Sequence, residues 1–192
     1  MKRIALNIVA FFAVLSLSSC GYNSMVKLDE QVTSQWAQVE NVYQRRADLI
    51  PNLVNSVKGA ANFEKETLTQ VIEARAKATS VNVDPTKLTP ESIAQFQAAQ
   101  GAISQSLGRL LATVEAYPEL KANQNFLELQ AQLEGSENRI TVERQKFNTV
   151  TQEYNSSIRT FPNNLTAGMF GFKTKGYFQA EAGANKAPKV EF

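Results

Sequence analysis

From Met25 onward, apolar residues recur at steps of three and four. Met25, Leu28, Val32, Trp36, Val39, Val42, Tyr43, Leu49 and Ile50 fall on one stripe of a helix. Pro51 interrupts the pattern, because proline lacks a backbone donor and crowds the preceding turn. The stripe resumes at Leu53, Val57, Ala60, Ala61, Leu68, Val71 and Ile72 and runs to about Ala78. The pattern predicts either one long kinked helix or two helices joined end to end. Thr79 to Thr89, with Asn82, Asp84 and Pro85, reads as a loop.

Thr89-Pro90-Glu91 is a helix start: a hydroxyl cap, proline at the first position and an acid in the first turn. Its stripe is Ile93, Phe96, Ile103, Leu107, Leu110, Leu111, Val114 and Tyr117, and Pro118 ends it. Gln100 takes one core slot and counts as a minor defect. Gly101 and Gly108 each lower helix propensity by about 1 kcal/mol, so they are read as marks of close helix contact. Asn123 can cap the next helix, with Phe126, Leu129, Leu133, Ile140, Phe147, Val150, Tyr154, Ile158 and Phe161 on its stripe. That spacing is nearly heptad and favours coiled-coil-like packing. Gly135 weakens this helix and Pro162 stops it.

Residues 163–192 differ. Gly168, Gly171, Gly176, Gly183 and Pro188 alternate with Met169, Phe170, Phe172, Tyr177, Phe178 and Phe192. At most one helical turn near Leu165 is expected there. Such a tail is expected to lie along the bundle and cover an apolar groove, in preference to touching a bilayer with Lys173, Lys175 and Lys186 at headgroups. Amphipathic stripes must be buried against one another. The expected fold is therefore all-α: an antiparallel up-and-down bundle of three to four long helices with an irregular, aromatic and glycine-rich C-terminal tail. Its expected divisions are a signal segment at 1–19, a linker at 20–24, the bundle at 25–162 and the tail at 163–192.

The first twenty residues change the picture. Lys2 and Arg3 precede a mostly apolar run from Ile4 to Leu17, and Leu17-Ser18-Ser19-Cys20 follows. A positive start, a short apolar stretch and small residues describe a secretory signal peptide, too short for a spanning helix. Leu17 to Cys20 resembles a bacterial lipobox. That resemblance implies cleavage before Cys20, lipid attachment there and anchoring by several acyl chains. The expected location is the cell envelope, with the bundle outside the cytoplasm.

Composition then removes whole classes of chemistry. Among 192 residues there is one Cys and no His. Histidine-based nucleophile pairs, His-ligated zinc and an internal disulfide framework are excluded. There are 20 basic and 18 acidic residues, and removing Lys2 and Arg3 leaves the two balanced. Nucleic acid is not an expected partner, because phosphate binding needs concentrated positive charge. No cofactor or metal is expected.

The remaining candidates are polar residues inside or beside the stripes. Arg45, Arg46 and Asp48 precede Pro51, and position 46 shares the heptad register of Val32 and Val39. Glu137 and Arg144 fall near core register between Leu133, Ile140 and Phe147, and Glu115 and Lys121 flank Tyr117-Pro118. Together they suggest a buried ionic network or a partner site.

The longer motifs resemble the LemA family. They are Tyr22-Asn23-Ser24-Met25-Val26, the run from Arg45 to Val54, Glu73-Ala74-Arg75-Ala76, the run from Glu115 to Ala122, and the run from Glu134 to Ile140. Arg144 to Asn148, Tyr154-Asn155, Phe161-Pro162 and Pro188-Lys189-Val190-Glu191-Phe192 complete the set. The resemblance implies a helical bundle on an N-terminal membrane anchor and supplies no catalytic residues. It departs at the start, where Cys20 stands in place of a plain transmembrane helix. The function expected from the sequence is a membrane-anchored, non-enzymatic scaffold or adaptor for another envelope protein. The alternative is a ligand- or cation-binding module built on Asp48, Glu115 and Glu137.

Overall fold

The computed structural model describes the backbone of residues 2–59 and 63–180, and the side chains of residues 21–59 and 63–180. The expected signal segment, the Cys20 side chain, Gly183, Lys186 and residues 188–192 lie outside the described side chains. The chain is all-helical, with no strand among the described residues. In order come α1 (Lys2–Lys58), α2 (Lys65–Ser80), α3 (Pro90–Val114), α4 (Pro118–Lys121), α5 (Gln124–Arg159) and α6 (Asn163–Phe170).

The two longest helices carry matching seams. On α1, Met25, Val32, Val39, Arg46 and Leu53 are buried at seven-residue spacing, and so are Trp36, Tyr43, Ile50 and Val57. On α5, Phe126, Leu133, Ile140, Phe147 and Tyr154 are buried at the same spacing. This is the period that keeps two helices in contact along their length. Contacts along α1 meet α5 in reverse order: Gln35 donates to Glu143 at 2.6 Å, and Arg46 meets Glu137 at 2.7 Å. α2 packs chiefly on α3. Between α1 and α3 the gap is bridged by large side chains, with Trp36 and Tyr43 both edge-on to Phe96.

Pro51 neither ends α1 nor divides it. A proline at 51 deprives the Ala47 carbonyl of its helical donor. Arg75 of α2 supplies one instead, with its Nε 2.7 Å from that oxygen. The helix ends at Lys58, beside Gly59, and not at the proline. Ala60 and Ala61, read as part of the stripe, lie outside the described residues, and α2 opens at Lys65. Caps form at Thr89 and Asn123, whose side-chain oxygens accept the N–H groups of Ser92 and Phe126.

The helix-interior glycines need a correction. A methyl placed on Gly101, Gly108 or Gly135 would meet no side chain or neighbouring backbone within 4 Å. They mark no close helix contact. The single turn expected near Leu165 is an eight-residue helix, α6, which ends at Gly171 in the left-handed region at φ 77°. The chain from 172 to 180 then runs without regular structure between α3 and α5.

The apolar interior falls into two clusters. One gathers Ile50 to Val57 with α2, the later half of α3, α4 and the start of α5. The other gathers Met25 to Tyr43 with the start of α3, the end of α5 and Phe178. Position 46 lies between them along α1.

Candidate functional site

Arg46 is 1% exposed, although arginine is almost never fully buried without partners. Nη1 donates to Glu137 Oε1 at 2.7 Å and to Ser104 Oγ at 2.9 Å. Nη2 donates to the Gln100 side-chain oxygen at 2.7 Å and to the Gln100 carbonyl at 3.1 Å. Four of its five N–H groups are thus satisfied, and the buried Nε makes no hydrogen bond. The guanidinium carbon lies 5.1 Å from the centre of the Tyr43 ring. One side chain from α1 therefore ties α3 and α5 together. Gln100 is no defect in the α3 stripe: it is the acceptor that makes burial of a cation tolerable.

The other candidates are dispersed. Arg45 is exposed, and so is Asp48, which accepts from Gln44 one turn back at 2.8 Å. Glu115 forms an exposed ion pair with Lys121, across the turn that flanks Tyr117-Pro118. Glu137 meets Arg46 and not Arg144. Arg144 instead donates from Nη2 to the Gln179 carbonyl at 2.8 Å and stacks 5.0 Å over the Phe178 ring. Burial pushes the Tyr43 hydroxyl above its usual range, against the opposing charges of Arg144 and Arg46. Asp48, Glu115 and Glu137 are thus each engaged by a different neighbour. Among the described residues no cluster of three carboxylates or other ligating groups is placed to hold a metal ion.

A cleft of about 1000 Å³ runs beside this layer. Arg46, Gln100, Ser104 and Glu137 line one end, and Asn155, Arg159 and Lys175 line the other. Its far wall is the segment 174–180, which sequence reading treated as a cover and not as part of a site. Asn148 and Asn155 hold that segment by its backbone. Their signal was present: they stand seven residues apart, each directly after a core aromatic, Phe147 and Tyr154. Lys175 is buried, with Nζ 2.7 Å from Asp29 Oδ1. The Tyr154 hydroxyl donates to the Lys173 carbonyl at 3.0 Å. Burial, reinforced by the Asp29 carboxylate, pushes its pKa up to about 12.

Fold and site define an all-helical protein whose two longest helices are pinned by a buried arginine layer and flanked by an extended C-terminal segment. The LemA family model matches residues 35–192, and the chain belongs to the LemA family. It is 28% identical to the magnetosome proteins MamQ 1 and MamQ 2 of Paramagnetospirillum magneticum, over 91% of this chain and 69% of each relative. It is 25% identical to Protein LemA of Metamycoplasma hominis, over 82% of this chain and 68% of that protein.

Proposed function

We propose that the protein is a membrane-seated, non-enzymatic scaffold: an antiparallel helical bundle, anchored through an acylated Cys20 on the outer side of the cytoplasmic membrane or on the outer membrane, that presents its surface to another envelope protein. The observation that carries this reading is an apolar patch at one end of the bundle. Leu165 and Met169 of α6 are 61% and 81% exposed, and Phe161 and Phe170 are exposed beside them. The Tyr22 ring, just after the proposed anchor, lies 4.7 Å from the Phe170 ring. Exposed apolar groups gathered in this way suit a bilayer surface or a partner. Among the residues whose side chains are described no helix is long and apolar enough to cross a membrane; the anchor in this reading is the segment ending at Cys20. Only Arg46 and Glu137 of the polar candidates meet each other, and the rest are dispersed over separate neighbours, which suits a structural role better than turnover.

Crosslinking the intact protein in its own membrane, followed by mass spectrometry, tests this. A reproducible envelope partner together with an acylated N-terminal Cys20 peptide is expected. No partner above background, with Cys20 unmodified, would overturn the reading.

A further inference from the structure

Three amide side chains grip the backbone of residues 172–180. Asn155 accepts the Lys175 N–H at 2.8 Å and donates to the Lys175 carbonyl at 2.9 Å. Asn148 does the same for Phe178, at 2.9 and 2.8 Å, and Gln97 for Gln179, at 3.0 and 2.8 Å. Each amide thus matches both main-chain groups of one residue, as an opposed residue does in a hydrogen-bonded antiparallel pair. The three amides therefore read the main chain of this segment, the logic by which peptides add to sheet edges.

Selectivity comes from three positions. Lys175 is buried against Asp29. Gly176 donates its N–H to the Leu88 carbonyl at 2.8 Å, and a methyl in place of its hydrogen would lie 2.7 Å from Pro90 Cα. Only glycine fits there without backbone movement. Phe178 fills a pocket walled by Trp36, Phe96 and Phe147, with ring centres 6.0, 6.4 and 5.4 Å away. Tyr177 between them has an exposed ring, and its hydroxyl accepts from Asn155 Nδ2 at 3.0 Å. The groove reads Lys-Gly-x-Phe.

An ordinary core element is held mainly by apolar burial. This segment fully buries one large apolar side chain, Phe178, and is otherwise held by polar contacts to its backbone and by the Lys175–Asp29 pair. That is how a site for an exchangeable peptide is built. The segment reaches the groove through α6, which leaves most of its large apolar side chains exposed, and through Gly171 in the left-handed region. We propose that the α3–α5 groove is a peptide receptor, and that it accepts the 172–180 segment of a second copy of this chain, so that two copies exchange tails. A second copy is the occupant because it carries the sequence that meets all three selective positions. Exchange of an identical element is a low-cost route to a dimer. The tethered segment competes from within the same chain, so exchange is favoured where copies are crowded.

Full-length chains carrying Cys20→Ser provide the test. An Ala98→Cys chain, its cysteine on the same cleft wall as Gln97 but outside the amide grip, is mixed with a Gln179→Cys chain and treated with a short bis-maleimide. A covalent heterodimer is expected. An excess of synthetic 172–180 peptide should suppress it at least tenfold, while the same peptide with alanine for its glycine should not. Gly176→Ala in the tail donor should abolish it. One chain carrying both cysteines should close on itself, which shows that the geometry permits the link. Closure within that chain without any heterodimer overturns the exchange. Failure of that closure, or a heterodimer indifferent to the native peptide or to Gly176→Ala, overturns the receptor groove itself.

Discussion

Arg46 shows what a single buried cation does to a helical core. Desolvating a guanidinium is costly, and the cost is met only when its donors find acceptors. Here α3 and α5 supply them. Arg46→Ala strips four hydrogen bonds and leaves a void, so it is expected to lower the unfolding free energy by about 3 kcal/mol. Glu137→Gln should cost only about 1 kcal/mol, because that carboxylate is 43% exposed and solvent screens it. Urea unfolding followed by helical circular dichroism measures both, and a larger loss for Glu137→Gln would refute the assignment of Arg46 as the hub. Heptad register alone placed Arg46 in the seam. It could not reveal Gln100 as its acceptor, because a stripe pattern scores each polar residue against its own helix and not against the facing one. It also grouped Glu137 with Arg144, where the partner lies on α1. Tyr154 supplies a pH signature. Its pKa is pushed up to about 12 in the fold, against roughly 10 in an unfolded chain. The stabilisation from its protonated hydroxyl is complete below pH 10 and is lost as pH rises towards 12. Tyr154→Phe should flatten the fall in melting temperature over that window, and an unchanged slope would show that the hydroxyl does not contribute.

At the scale of elements, the heptad seams made α1, α3 and α5 legible, and the caps at Thr89 and Asn123 fixed two of their starts. Of the two readings left open at Pro51, the continuous helix is the one found, and it has a physical cause. A proline rule considers the local turn, and the compensation at Pro51 comes from another helix. Arg75, 28 residues beyond Ala47, donates to the carbonyl that Pro51 leaves without a partner. The Arg45-to-Val54 and Glu73-to-Ala76 motifs are therefore two halves of one device. Arg75→Leu is expected to cost about 1 to 2 kcal/mol, the penalty of an unsatisfied, partly buried carbonyl. In a Pro51→Ala background the new N–H can bond that carbonyl, so the same substitution should cost less than half as much. Equal costs in the two backgrounds, measured as a double-mutant cycle, would show that Arg75 acts by packing alone. The interior glycines illustrate the opposite error. Helix propensity flagged them as needing a reason, yet no neighbour approaches Gly101, Gly108 or Gly135. The tail was hardest to read, because its hold comes from paired amides and not from a periodic apolar face.

The whole molecule is long and polarised. From Tyr22 to Lys58, α1 measures roughly 54 Å at about 1.5 Å per residue. Tyr22 and α6 lie at one end, and the α3–α4–α5 connection lies near the other, where the beginning of α5 packs with the end of α1. Periodicity identifies a stripe but not which apolar residues stay bare, so the patch on α6 became visible only once the bundle was assembled. The tail divides between the two behaviours weighed for it: Phe178 is enclosed, while Leu165, Met169 and Phe170 are not. Burying such side chains releases about 1.5 to 3 kcal/mol each when complete, so even partial insertion of several would orient the long axis away from the bilayer. The proposed seat then makes a positional prediction. In vesicles carrying the full-length protein, a fluorophore on Met169→Cys should be quenched by brominated acyl chains. The same fluorophore on Glu119→Cys, in the exposed first turn of α4, should not. The chain's own Cys20 is replaced by serine in a parallel pair, so that quenching at Met169 is read with and without the lipid. Quenching in both pairs assigns a contact to α6 itself, and quenching only with the lipid makes α6 a passenger of the anchor. Equal quenching at Met169 and Glu119 would place the bundle flat on the membrane, and no upright scaffold could then be built on this fold.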